Sequence, residues 1–324
     1  MDSLKYTHHR ILLKGTTKLT ASIAVCLLRA KQQVTVFDDS PSPVMERIGQ
    51  HVRDVAERLG EQIDTQNLSY IKSFDDAKIY TIAIVITNEN ADEKLAAIKE
   101  LEEHLPPDAL IAITSESIAL SCLQKFAKCP ARIIGVNWAE PAHTTYFMEI
   151  ITNQNTDPQL AEDFCYLAKH QWQKDPYVLK SDFGIRSKMM SALVREASYL
   201  VENNYVTVED IDRACRNDAG YYLPFAGNLR YMDLMGTYMY GIVMQDLNPE
   251  LSKNTQIPLF CQQLIDGGGK GMSNRKGFYD YEEGEVEQWE QTFRTFSYQI
   301  QQIIYKYPFK YMEQESAVAV NATI

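Results

Sequence analysis

"ILLKGTTKLTASIAV" (residues 11–25) followed by "QVTVFDDS" (residues 33–40) carries the first decision about fold. An apolar run, a glycine, an amphipathic stretch and a β-branched run closing on acids is the order of a βαβ unit, two parallel strands joined by a helix. Gly15 stands where a tight turn leaves the first strand. In the dinucleotide-binding pattern G-x-G-x-x-G two more glycines follow, and here Thr17 and Thr20 hold their places. Threonine there crowds a pyrophosphate that glycine would admit, although its hydroxyl can donate a hydrogen bond instead. Asp38, ending the second run, is placed to accept from ribose hydroxyls and to repel a 2′-phosphate. The cofactor expected is therefore NAD, bound weakly or lost. The plainer alternative is that Asp38 and Asp39 only close a strand before the turn Ser40-Pro41-Ser42-Pro43.

Outward from this unit, apolar runs at 80–86, 109–113 and 132–136 join those at 10–13 and 33–37. Between the third and fourth, Leu95, Ile98, Leu101 and Leu105 recur at helical spacing among charges. The alternation predicts an α/β half with a Rossmann-type doubly wound sheet. Beyond "KDPYVLKSDFG" (residues 174–184) the strand signals fade. Ile185, Met189, Ala192, Leu193, Glu196, Ala197 and Leu200 share one helical face, apolar except for Glu196. Thr207, three residues before Asp210, reads as an N-cap with an acidic first turn. The second half is thus expected to be all-helical, with the Met- and aromatic-rich stretch 231–244 in a core or subunit interface. The domains expected are 1–180, 181–307 and a tail, 308–324.

A chain of 324 residues, 45% of them hydrophobic, exceeds one ordinary core and supplies two. Its net charge of −11 argues against a general nucleic-acid binder. No run of eighteen apolar residues occurs and the N-terminus lacks the pattern of a signal peptide, so a cytoplasmic protein without membrane spans is expected. Six cysteines without a C-x-x-C pair suit buried thiols in a reducing compartment. The six histidines make no metal-ligand spacing beyond the pair His8-His9, so no metal is expected.

Three further motifs, in order, resemble the 3-hydroxyacyl-CoA dehydrogenase family. "LVREASYLVENNYVTVEDIDRAC" (193–215) looks like that family's helix, turn and E-D-I-D start. "GNLRYMDLMG" (227–236) is similar to its G-P-L-x-x-x-D-x-x-G with Asn228 for proline, and "KGFYDY" (276–281) matches its closing motif. The resemblance implies an N-terminal NAD-binding domain, a C-terminal helical domain forming a two-fold homodimer, and hydride transfer between a 3-hydroxyacyl-CoA and NAD. It also implies that Glu89 and Lys94 of "ENADEK" lie beside the nicotinamide. Unaided by the resemblance, that stretch reads as a capped helix start with Asn88, Asn90 and acids following.

The same resemblance puts the active site in doubt. The family's catalytic histidine stands in G-x-H-F-F-N-P, and "GVNWAEP" (135–141) aligns with it, so Asn137 takes the histidine place and Glu140 that of the asparagine. Glu149 matches the family's orienting glutamate, Glu116 replaces a substrate-contacting serine and Ser187 an asparagine. A histidine suits proton transfer because its pKa lies near working pH. Asparagine exchanges no proton in that range. The expectation is that Asn137 donates its amide to Glu149 as a structural bond. Three readings follow: a family dehydrogenase with a rearranged site; a degenerate relative that binds a nucleotide, an acyl-CoA or a partner; or a dehydrogenase of another hydroxy acid with Glu116 or Glu140 as base. His143, in the loop leaving the strand, is expected at the surface.

Overall fold

The computed structural model describes residues 9–37, 42–74, 79–307 and 309. The chain divides into two compact units, Met1–Lys188 and Met189–Ile324. The first holds one sheet of β1 (Arg10–Lys14), β2 (Gln33–Phe37), β3 (Leu68–Ile71), β4 (Ile82–Val85), β5 (Leu110–Ile113), β6 (Ile133–Trp138), β7 (Phe147–Thr152) and β8 (Asp175–Lys180). Their spatial order is β3-β2-β1-β4-β5-β6-β7-β8. Neighbours run parallel except for the antiparallel pair β6–β7. The winding reverses between β1 and β4, and the carboxyl ends of strands at such a switch point are where open α/β sheets bind ligands. The helices of this unit are α1 (Lys18–Arg29), α2 (Ser42–Leu59), α3 (Ala91–His104), α4 (Leu120–Gln124) and α5 (Pro158–His170).

This is the Rossmann-type architecture expected. Strands β4, β5 and β6 are buried along their whole length, the physical reason their sequences are nearly continuous apolar runs. Three strands lie beyond the runs read from sequence. β3 and β8 are half-exposed edges, and β8 carries Asp175, Pro176 and Lys180, residues that blunt an edge and blur its pattern. Thus the segment beyond which strand signals fade itself holds the last strand, paired with β7.

Helix α6 (Ile185–Glu202) begins in the first unit. The second continues with α7 (Val208–Asn217), α8 (Ala219–Tyr222), α9 (Gly227–Met235), α10 (Thr237–Leu247), α11 (Leu259–Asp266) and α12 (Glu285–Lys306). Thr207 caps α7 as expected: its hydroxyl accepts from the Asp210 N–H at 3.1 Å, and Asp210 accepts from the Thr207 N–H at 3.2 Å. Among the described residues of this unit only Ala226 and Tyr298 are buried apolar side chains, whereas Leu193, Leu229 and Tyr238 are 54%, 77% and 80% exposed. The cysteines also differ from expectation. All six are free, but Cys26 alone is buried and Cys122 and Cys129 are exposed.

Candidate active site

The centre of the site is one rung of the sheet. Asn137 of β6 lies opposite Glu149 of β7, and Glu149 lies opposite Tyr177 of β8. Cross-strand partners share a face, so register alone gathers an amide, a carboxyl and a phenol. Asn137 commits both of its N–H groups and its carbonyl oxygen. Its Nδ2 donates to Glu149 Oε1 at 3.0 Å and to the Ser115 carbonyl at 2.9 Å, and its Oδ1 accepts from the Ser115 N–H at 3.0 Å.

Glu149 is fully buried and meets three further donors: Tyr177 Oη at 3.1 Å, the Ile185 N–H at 2.9 Å and the Arg186 N–H at 3.3 Å. The last two are orphan donors of the first turn of α6, so the carboxylate serves that helix as a cap supplied from the sheet. Gly184 makes the approach possible, because a Cβ there would lie 1.8 Å from Glu149 Oε1. Burial, then the neighbouring carboxylate, raise the Tyr177 phenol above its ordinary value, which keeps it a donor at neutral pH.

The loop after β5 completes the surround. Glu89 Oε1 accepts from the backbone N–H groups of Glu116, Ser117 and Ile118 at 3.0, 2.8 and 3.1 Å. Burial acts to raise the Glu89 carboxyl, but these donors together with Lys94 outweigh it and hold it below the usual range. Lys94, fully buried, pairs with Glu89 Oε2 at 3.3 Å and donates to the Thr114 carbonyl at 2.7 Å. Asn90 caps α3 by accepting from the Glu93 N–H at 3.0 Å. The side chain of Glu116 reaches the opposite segment, pairing with Arg186 Nη1 at 2.7 Å and accepting a hydrogen bond from Ser187 Oγ. Asn137, Glu149, Glu116 and Ser187 are therefore brought into one connected cluster. Tyr177, Gly184 and Arg186 belong to it too and escaped the sequence reading; a glycine just before an amphipathic helix was the one signal available.

Glu140 and His143 lie elsewhere. Glu140 Oε2 accepts from Ser22 Oγ of α1 at 2.5 Å, and burial raises its carboxyl against the lowering effects of Ser22, Arg47 and Lys18. His143, expected at the surface, is buried: its ring lies 4.5 Å from that of His51 on α2, and its carbonyl accepts from Arg29 of α1 at 2.8 Å. Burial, followed by His51, Arg29 and Lys174, pushes its imidazole well below its ordinary value.

At the switch point, a Cβ on Gly15 would lie 2.2 Å from the Ile86 carbonyl, so glycine is required for β1 to turn this close to the end of β4. Thr17 and Thr20 form a capping box: Thr17 Oγ1 accepts from the Thr20 N–H, and Thr20 Oγ1 from the Thr17 N–H, both at 3.3 Å. Thr20 is fully buried beneath the turn, so only the half-buried Thr17 stands where it can crowd a pyrophosphate. Asp38 lies outside the described residues. A tight glycine turn leading into the N-terminus of a 12-residue helix fits a dinucleotide, which would supply the hydride acceptor or donor.

A doubly wound sheet with this turn at its switch point, followed by a helical unit, defines a two-unit NAD-binding oxidoreductase. The chain belongs to the 3-hydroxyacyl-CoA dehydrogenase family: residues 13–182 match the model of its NAD binding domain and residues 185–281 that of its C-terminal domain. It is 24% identical over 282 residues to a 5-formyl-3-hydroxy-2-methylpyridine 4-carboxylate 5-dehydrogenase of Mesorhizobium japonicum, covering 84% of this chain and 90% of that protein. It is 23% identical to a probable 3-hydroxybutyryl-CoA dehydrogenase of Bacillus subtilis, covering 85% and 98%. It spans only 37% of the fatty acid oxidation complex subunit alpha of Vibrio campbellii, at 24% identity over 79% of this chain. A crystal structure of a 5-formyl-3-hydroxy-2-methylpyridine 4-carboxylic acid 5-dehydrogenase, described as an NAD+ dependent dismutase, superposes with a TM-score of 0.84 over 92% of this chain and 98% of that one, at 21% identity. No helix among the described residues is long and apolar enough to cross a membrane.

Proposed function

We propose that this chain binds NAD(H) but oxidises 3-hydroxyacyl-CoA far more slowly than a family member with histidine at position 137. One observation carries the reading: Asn137 engages Glu149 and both backbone polar groups of Ser115, so the place of the proton acceptor is filled by a residue with no proton to exchange and with both of its N–H groups already committed. A positioned base contributes about 10²–10⁴-fold, which sets the size of the deficit. NADH titration together with turnover of 3-hydroxybutyryl-CoA tests it. Asn137→His alone is expected to recover little, because Glu116 remains, and Asn137→His with Glu116→Ser and Ser187→Asn to recover more. Turnover by the unmodified chain that Asn137→Ala leaves intact and Glu116→Gln abolishes would overturn the reading and make Glu116 the base.

A second reading, oxidation of a different hydroxy acid, is favoured by the bonding of Glu116 to Arg186 and Ser187, which occupies the positions where the family resemblance implies contact with an acyl substrate. For assembly we infer a homodimer through the second unit, supported by exposed apolar side chains such as Leu229 and Tyr238. Analytical ultracentrifugation at micromolar concentration tests it, and a monomer there would refute it. The six free cysteines support work in a reducing, cytoplasmic setting.

A further inference from the structure

We propose that Arg186 anchors a carboxylate on the substrate, and that Glu116 occupies this anchor until the ligand arrives. The inference rests on the reading of the Asn137–Glu149 rung as the substrate end of the site. It names the substrate class as a small free hydroxy or keto acid in place of a coenzyme A thioester.

The bridge joins the two segments that hold the rung. Glu116 follows Ser115, whose backbone grips Asn137, while Arg186 and Ser187 follow Ile185, whose N–H grips Glu149. The rung itself is closed, with Asn137 1% and Glu149 0% exposed, whereas the Arg186 and Glu116 side chains are 42% and 44% exposed. A ligand approaching the rung from solvent therefore meets the bridge. Lys94 is buried on Glu89, which leaves the guanidinium as the cation of this bridge.

The guanidinium suits the task. Among the described residues only Nη1 is committed, to Glu116 Oε1 at 2.7 Å and the Trp138 carbonyl at 3.4 Å, and Cζ lies 6.0 Å from the centroid of the Phe147 ring. A guanidinium carries five N–H groups in a rigid fork, so a second, planar edge remains for bidentate binding of a carboxylate. Half-exposed ion pairs are weak, and the Glu116 contact is of the kind a ligand carboxylate displaces. The reacting end of an acyl-CoA has no negative charge with which to compete. The two substrate-contacting positions at which this chain departs from the family, Glu116 and Ser187, are thus bonded to one another beside the cation that selects the replacement substrate.

The test is ligand-observed NMR titration of the full chain with 3-hydroxybutyrate and malate, and with neutral 3-hydroxybutyramide as control, each with and without NADH. The acids are expected to bind and the amide not. Arg186→Met keeps the backbone N–H that caps Glu149 and should weaken acid binding at least about tenfold, the loss typical of a charge-assisted hydrogen bond. Glu116→Gln removes the competitor and should tighten it roughly two- to fivefold, the range of an exposed pair. Acid binding undiminished in Arg186→Met, or no acid binding to either the unmodified chain or Glu116→Gln, overturns the proposal. Failure to bind NADH would instead count against the cofactor reading, and the acid titrations without NADH would still decide the role of Arg186. A thermal melt of Arg186→Met establishes that it is folded, and Arg186→Lys, a point charge without the fork, should restore acid binding only in part.

Discussion

Replacing Asn137 with alanine is the sharpest perturbation of the rung, because it removes three hydrogen bonds and little volume. The partners left behind are the Ser115 N–H, the Ser115 carbonyl and Glu149 Oε1, previously at 3.0, 2.9 and 3.0 Å. Ser115 is 6% exposed and Glu149 0%, so bulk water does not replace the lost partners freely. A buried polar group without a partner costs about 1–3 kcal/mol. Glu149 keeps three other donors, which pulls the total toward the low end, and the expected loss is roughly 3–5 kcal/mol. Asn137→Asp should be at least as costly despite its matching shape, since it sets a second carboxylate against Glu149 and presents an acceptor to the Ser115 carbonyl. Urea unfolding followed by tryptophan fluorescence measures both; Trp138 is the next residue along β6. With a slope of about 1–3 kcal/mol per molar urea, the midpoint should fall by at least roughly 1 M. A loss below about 0.5 kcal/mol for Asn137→Ala, the range of unremarkable surface changes, would refute the three-bond account. So would an aspartate variant as stable as the unmodified chain.

Gly184→Ala should destabilise by roughly 3–5 kcal/mol, as breaking a buried charged contact does, because the new methyl displaces Glu149 from the start of α6; an unchanged melting temperature would contradict the close approach. For pH, the folded His143 imidazole titrates below its unfolded value of about 6.5, so the unfolded chain takes up the proton first. Stability is then fullest above about pH 6.5 and falls on acidification toward the folded value, by at most about 1.4 kcal/mol per pH unit from this group. Urea midpoints at pH 7.5, 6.5 and 5.5 should show that slope, and a His143→Asn variant with the same slope would assign it elsewhere. At the dinucleotide turn, Thr17→Gly should tighten NADH binding by relieving the crowding, whereas Thr20→Gly should cost about 1 kcal/mol through the lost cap without a gain in affinity. Isothermal titration with melts of both variants distinguishes the positions, and equal tightening by the two would count against the burial of Thr20.

How much of this was legible depends on how local the physics is. The βαβ opening, the buried central strands and the Thr207 cap follow from periodicity and short-range bonding, and they read directly from the chain. The edge strand β8 did not, because its half-exposed side chains alternate weakly and it opens on Asp175-Pro176. With β8 went Tyr177, which enters the rung only through the register of a parallel pair. Arg186 was hidden differently: a basic residue in a first helical turn looks like ordinary surface until a carboxylate 70 positions earlier is seen to meet it. The burial of His143 is likewise tertiary, imposed by α1 and α2 on a loop whose sequence looks polar.

Because Asn137 and Glu149 face each other across antiparallel strands, their spacing belongs to the backbone and survives a change of side chain. The Ser115 doublet does not have that independence. It requires one donor and one acceptor side by side on the same amide, while a second N–H serves Glu149. A neutral imidazole offers one N–H and one acceptor nitrogen on different edges of a ring, so it cannot reproduce all three contacts. Histidine placed at position 137 would therefore leave at least one of these partners unmet. Position 137 is thus held to β7 by the backbone and to the loop after β5 by its side chain, so a change of residue there asks for a change in that loop as well.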